Sequence, residues 1–240
     1  GAATFRRTFE IYGLILLRER KAHKGPVYSE GGNHWWYAGL VDGNYANAFP
    51  ALSKRPLFVD FDLLRIHPLQ MDAGNTPTEF NTASQKADCH IPYTLAYGHI
   101  CQLTPYNETQ SMKRYFLIQP LQQFYAMVPV KSIKYFADGS FMDTSKALVR
   151  GANLECKVFI EYENGTKVWV NVGEKNWLIK TQEKQYVLPK NGFYAQSPDG
   201  DVRTCSVLVS TENGSDAHID YCESPNSCYI DTRGVEVSFG

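Results

Sequence analysis

Leu154-Glu155-Cys156-Lys157-Val158-Phe159-Ile160-Glu161-Tyr162-Glu163-Asn164-Gly165-Thr166-Lys167-Val168-Trp169-Val170-Asn171-Val172 is the stretch on which the fold turns. Leu154, Cys156, Val158, Ile160 and Tyr162 stand at every second position, as do Val168, Val170 and Val172. Period two is the mark of a strand with one buried face. Between the two runs Asn164-Gly165 supplies the residues of a two-residue hairpin turn. Downstream, further short strands are expected at Gln185–Leu188, Gly192–Gln196, Cys205–Val209, His218–Cys222, Cys228–Asp231 and Val235–Phe239. The turns between them are Pro-Lys-Asn-Gly, Pro-Asp-Gly-Asp and Glu-Asn-Gly-Ser. Many short strands with regular turns predict an all-β, antiparallel β-sandwich over residues 151–240.

Upstream of Gly151 the style is α/β. Phe5, Phe9, Tyr12 and Leu16 recur at intervals of three and four, with Ile11 and Ile15 widening the stripe, which predicts an amphipathic helix over residues 4–21. His23 and Lys24 suit its C-terminal dipole, Gly25 suits a left-handed cap, and Pro26 cannot continue it. A short strand at residues 26–29 then runs into Glu30-Gly31-Gly32, the αβ half of an α/β unit. Leu57 to Leu64 reads as a second strand after Pro56, and Glu108 to Met127 as a long helix that Pro120 must kink or break. A short helix is expected near residues 144–150. A complete (β/α)8 barrel takes about 250 residues. An α/β region confined to residues 1–150 is therefore expected to be part of such a barrel, its later βα units, with the rest supplied by a missing N-terminal segment or another chain covering residues 1–60.

The whole chain has 240 residues, 43% hydrophobic, 20% charged and 13% aromatic, the composition of a folded protein with a substantial core. A net charge of −1 supplies no positive field for nucleic acid or an anionic membrane, so neither partner is expected. No apolar run approaches the ~20 residues that span a bilayer. The chain opens Gly1-Ala2-Ala3-Thr4 without an initiator Met, as expected of a processed or engineered end. The six cysteines form no C-x-x-C pair, which argues against a zinc ribbon or a redox motif. Cys222 and Cys228 flank a loop that a disulfide could close, free thiols being the alternative. N-x-[ST] triplets begin at Asn107, Asn164 and Asn213 and arise often by chance.

Candidate chemistry concentrates in residues 25–39. Glu30 sits where a strand ends and a glycine loop begins, the face of an α/β barrel that holds the active site. Gly31 and Gly32 leave room beside it, while His34, Trp35, Trp36 and Tyr37 can stack on sugar rings and hydrogen-bond their hydroxyls. The alternative is that the tryptophans are core and Glu30 pairs with an arginine. Beside Tyr28, Trp35 and Trp36, desolvation would raise Glu30 toward a usable general acid. Asp60 and Asp62 fall on one face of their expected strand, with His67 and Asp72 in the next loop. Glycoside hydrolysis uses two carboxylates, about 5 Å apart for retention and about 6.5–9.5 Å for inversion. Same-face aspartates also cap loops or bind metals, so a structural or substrate-contact role competes with the catalytic one. No metal site, phosphate-binding glycine loop or Ser-His-Asp arrangement follows from the spacing, and no cofactor is expected.

Gly25-Pro26-Val27-Tyr28-Ser29-Glu30-Gly31-Gly32, with Trp36-Tyr37-Ala38-Gly39-Leu40-Val41-Asp42-Gly43, resembles a late barrel strand of bacterial glycoside hydrolases of the endo-α-N-acetylgalactosaminidase and α-galactosidase-like type. Residues 56–63 look like the following strand, and residues 161–171 and 188–193 are similar to the β-sandwich appended to such barrels. The resemblance implies a carbohydrate-active hydrolase, secreted or periplasmic, with a glycan substrate. It makes Glu30 the acid/base or a sugar-binding carboxylate, with Asp60 and Asp62 as further catalytic candidates. Tyr28, His34, Trp35, Trp36, Tyr37, Asp42 and His67 are then the substrate-binding candidates. The nucleophilic aspartate of an earlier strand has no counterpart, and a non-catalytic carbohydrate-binding or interaction module is the competing class.

Overall fold

The computed structural model describes residues 4–29, 34–37, 39–44, 57–65, 69–70, 84–101, 103, 108–181, 184–212 and 214–236, with the backbone alone at 34–35, 69–70 and 84–87. It combines helices with two sheets, one parallel and small, one antiparallel and large.

Helix α1, Phe5–His23, is capped by the Thr4 side chain, which accepts from Arg7 N. The left-handed residue at its other end is Lys24, at φ 50, rather than Gly25. Arg20, Lys21 and His23 in the last turn complement the dipole as expected. Strands β1 (Tyr28–Ser29), β2 (Gly43–Asn44) and β3 (Leu69–Gln70) follow, paired parallel in that order, with Ser29 opposite Asn44 and Asn44 opposite Gln70. Among the described residues this sheet is open and no closed barrel is formed.

The strand expected over residues 57–64 is not one. Residues 57–59 are extended, and Asp60–Leu63 is a single helical turn, α2, closed by Leu63 N to Val59 O at 3.0 Å and Leu64 N to Asp60 O at 2.8 Å. Leu57, Val59 and Leu63 all reach the core. The i, i+4 step from Val59 to Leu63 buries both, whereas a strand would have carried Phe61, which is exposed, to the same face. Asp60 and Asp62 therefore diverge instead of sharing a face.

Helix α3 (Ser84–Tyr97) contains Pro92, and α4 (Glu108–Tyr125) runs through Pro120 without ending there. The tolerated cost is one intrahelical hydrogen bond at each proline. Leu117, Ile118, Leu121 and Tyr125 form the inner side of α4.

The large sheet begins at β4 (Val130–Ala137) and β5 (Ser140–Met142), two strands the sequence reading does not include, ahead of the expected short helix, α5 (Thr144–Arg150). It continues through β6 (Lys157–Tyr162), β7 (Lys167–Asn171), β8 (Trp177–Lys180), β9 (Gln185–Leu188), β10 (Gly192–Gln196), β11 (Arg203–Ser210), β12 (Asp216–Ser224) and β13 (Ser227–Asp231). The order is β13-β12-β11-β10-β7-β6-β4-β5, with β9 pairing both β8 and β11. The β6–β7 hairpin forms, but its loop has three residues, not two: Tyr162 N donates to Thr166 O and Gly165 N to Tyr162 O, so the turn is centred on Glu163-Asn164 and Gly165, at φ 94, follows it as the left-handed residue. Of the strand expected at Val235–Phe239 only Val235 and Glu236 are described, and neither pairs.

Alternation divides the sheet into two apolar faces. Val158, Ile160, Val168, Val170, Phe193 and Ala195 face α3 and α4, while Trp169, Tyr194, Val207 and Ile219 face Trp177, Ile179 and Leu188 of the β8–β9 hairpin. The sandwich-like part is thus one sheet covered by helices on one side and by its own hairpin on the other. None of the six cysteines is in a disulfide. Glu223 lies opposite Cys228 in the β12–β13 ladder, so Cys228 shares the Glu223 face and points away from buried Cys222.

Candidate functional site

The carboxyl ends of β1, β2 and β3 lie at one edge of the parallel sheet, where open α/β architectures place their ligands. Two aligned polar residues mark that edge. Asn44 is fully buried, and Ser29 Oγ donates to its Oδ1 at 3.3 Å.

Beneath the edge, α1 is tied to the sheet by charge. Arg20 donates to Asp42 Oδ1 at 2.8 Å and to Leu40 O at 3.3 Å, and Asp42 Oδ2 accepts from Val27 N at 2.8 Å. Asp42, expected to touch substrate, thus spends its carboxylate on holding β1, β2 and α1 together. Gly13 sits where α1 approaches this loop: an added Cβ would lie 3.5 Å from Leu40 Cδ1.

Of the expected aromatic platform, Trp36 meets Phe5 edge-on at 5.3 Å and Tyr37 stacks on Phe9 at 5.0 Å. Both rings lean on α1, Trp36 remaining 43% exposed. Tyr28 is exposed to the same degree and, one residue before Ser29, points to the other face of β1. Glu30, His67 and Asp72 lie outside the described residues, as do the side chains of His34 and Trp35.

Asp60 and Asp62 belong to a different neighbourhood. Asp60 accepts from Tyr135 Oη at 2.7 Å and from Thr144 Oγ1 at 2.5 Å, joining α2 to β4 and α5. Tyr135 in turn accepts from Val59 N at 3.2 Å, and its burial pushes the phenol up. Asp62 lies 2.9 Å from His99 Nε2, both side chains largely buried. His99 O accepts from Tyr125 Oη at 2.9 Å, and burial pushes the neighbouring Tyr97 phenol up to about 12. The two aspartates fasten the crossover between β2 and β3 to the helix layer and the large sheet. A paired acid and base on one surface is not what they form.

No protein-family model, curated protein or solved structure matches the chain.

A further polar group went unforeseen in the sequence. Lys113, Asp88, Asp220, Asp231 and Arg233 come together between α3, α4 and the β11–β13 end of the sheet, with Ser206 and His218 beside them. The one local signal was His218-Ile219-Asp220 within an alternating strand, which puts an aspartate at an inward position. Burial opposes the charge of Asp220, but Lys113 and Arg233 outweigh it and hold the carboxyl below its usual range. Burial, reinforced by Arg233, pushes His218 down. The group is not a catalytic triad, since Ser206 is 1% exposed and Asp220 is committed to two cations.

Proposed function

We propose that the chain is the C-terminal part of a carbohydrate-active hydrolase, the later βα units of a (β/α)8-type barrel followed by an appended sandwich, acting outside the cytoplasm on a neutral glycan. The observation that carries this proposal is the register of β1, β2 and β3: three parallel strands in chain order, with Glu30 the next residue after Ser29. Parallel strands in chain order are how barrel units succeed one another, and their carboxyl ends are where barrel enzymes hold catalytic groups.

Glu30 is assigned as proton donor to the glycosidic oxygen. Because Asp60 and Asp62 are committed to Tyr135, Thr144 and His99, the second carboxylate is sought at the same strand edge. Asp72, two residues beyond Gln70, is the candidate. The remaining barrel would be supplied by a further segment or chain beside β1.

A non-catalytic glycan-binding module is the competing function, favoured by the exposure of Tyr28 and Trp36. The experiment that separates the two is incubation of the full-length gene product with a panel of aryl glycosides and natural glycans, reading released sugar and its anomeric form. Hydrolysis is expected, the anomeric form telling retention from inversion. Binding without release from any substrate would establish the module instead.

A further inference from the structure

The charge cluster at the far end of the large sheet plays no part in the proposed carbohydrate chemistry. Lys113 Nζ on α4 lies 2.5 Å from Asp220 of β12, 3.2 Å from Asp88 of α3 and 3.7 Å from Asp231 of β13. Arg233, just past β13 and at φ 56, donates from one terminal nitrogen to Asp88 Oδ2 at 2.6 Å. Its Nε and other terminal nitrogen donate to the two oxygens of Asp220 at 3.1 and 3.2 Å. Two cations thus sit among three carboxylates drawn from one helix and two strands.

What else holds β13 is slight. Among the described residues it is an edge of the sheet, paired only with β12. Its residues alternate between half-buried and exposed. Tyr229 packs against the rim of the core and stacks on Phe116 of α4 at 5.3 Å with the rings 6° from parallel. To its ladder, the Ser224–Ser227 turn and this packing the charge cluster adds a polar fastening. The same cluster fastens α3, because Asp88 is gripped by both Lys113 and Arg233. Asp220 is the most deeply buried carboxylate of the group, and without Arg233 both it and Asp88 depend on Lys113 alone, so loss of one cation weakens the links together.

We infer that β13 and the turn through Arg233 form a latch that closes over the Asp88 end of α3 and opens together with that end, as one unit, while the core-packed part of α3 from Ile91 onward and the rest of the sheet stay closed.

The test is hydrogen exchange by mass spectrometry on the whole chain at neutral pH, comparing wild type with Arg233→Gln and Asp88→Asn. Amides of 227–231 and 88–90 should exchange faster by a common factor of about tenfold or more in both variants, with 93–97, β6, β7 and β10 unchanged. Acceleration spread evenly over all segments, acceleration of 227–231 without 88–90, or no change would each overturn the inference. Should Asp88→Asn fail to fold, Arg233→Lys decides the matter. It keeps the charge but loses the fork that spans two carboxylates, and the same paired acceleration is expected.

Discussion

Tyr135 Oη donates to Asp60 Oδ2 at 2.7 Å across 75 residues of sequence, and the same oxygen accepts from Val59 N. One phenol thereby satisfies the backbone and the side chain at the start of α2. It also attaches the segment between the parallel strands to the first strand of the large sheet. The two sheets share a seam, and hydroxyl groups aimed at one carboxylate hold it.

Tyr135→Phe removes that hydroxyl while keeping the ring in the core. It leaves Val59 N–H and one Asp60 oxygen unpaired, which should cost about 1–3 kcal/mol. Urea denaturation followed by circular dichroism reads this as a lower midpoint with an unchanged slope. A neutral outcome would mean that the seam is held elsewhere.

Gly98→Ala should be worse tolerated than a surface glycine change. Gly98 has φ 64, and a Cβ there would come 2.8 Å from Leu63 Cδ2 and 3.0 Å from Tyr162 Oη. Strain and overpacking together predict a loss of about 1–3 kcal/mol. Thermal unfolding measures it, with Gly139→Ala as the control, since that glycine also has positive φ but nothing within 4 Å of the added carbon.

Stability should rise with pH in the window just below the ordinary histidine range. His218 is pushed down by burial and Arg233, with Lys113 also opposing the proton and Asp220 and Asp88 favouring it. The unfolded chain consequently takes up a proton near pH 6.5 that the folded chain resists, so stability falls as pH drops from there toward the folded value. Asp220, held below the usual range, keeps its contribution until more acid conditions and then loses it. His218→Gln should flatten the dependence between pH 7 and 5.5, as read from melting temperatures. A slope equal to that of wild type would rule His218 out as its source.

Asp42→Ala should loosen α1 from the parallel sheet by releasing Arg20 and Val27 N–H, at about 1–2 kcal/mol. The pair is partly exposed, so the loss sits toward the lower end. Faster exchange of the α1 amides, with the large sheet unaffected, is the expected signature.

The strands of the second half were legible where the signal is local. Asn164-Gly165 with valines on alternate positions specifies its own hairpin, and residues 192–196 lie between unmistakable turn residues. Strand β4 lacks a clean period of two because Ser132 and Lys134 share a face with Phe136, which packs on Phe141 and Trp177, and β8 is only four residues long, Trp177-Leu178-Ile179-Lys180. The dense apolar run of residues 57–64 fits either period until its partners are known. The roles of Asp60 and Asp62 depend on Tyr135, Thr144 and His99, which stand 75, 84 and 37 residues away, and no local pattern carries that.

The proposed chemistry stands or falls on Glu30. A general acid of this kind contributes about 10²–10⁴-fold in rate. The direct measurement is turnover by Glu30→Gln in the full-length gene product, on whichever glycoside the wild type cleaves, together with the affinity of the same variant for that glycan. Turnover reduced by about 10²–10⁴-fold with binding retained is the predicted result. Unchanged turnover would contradict it.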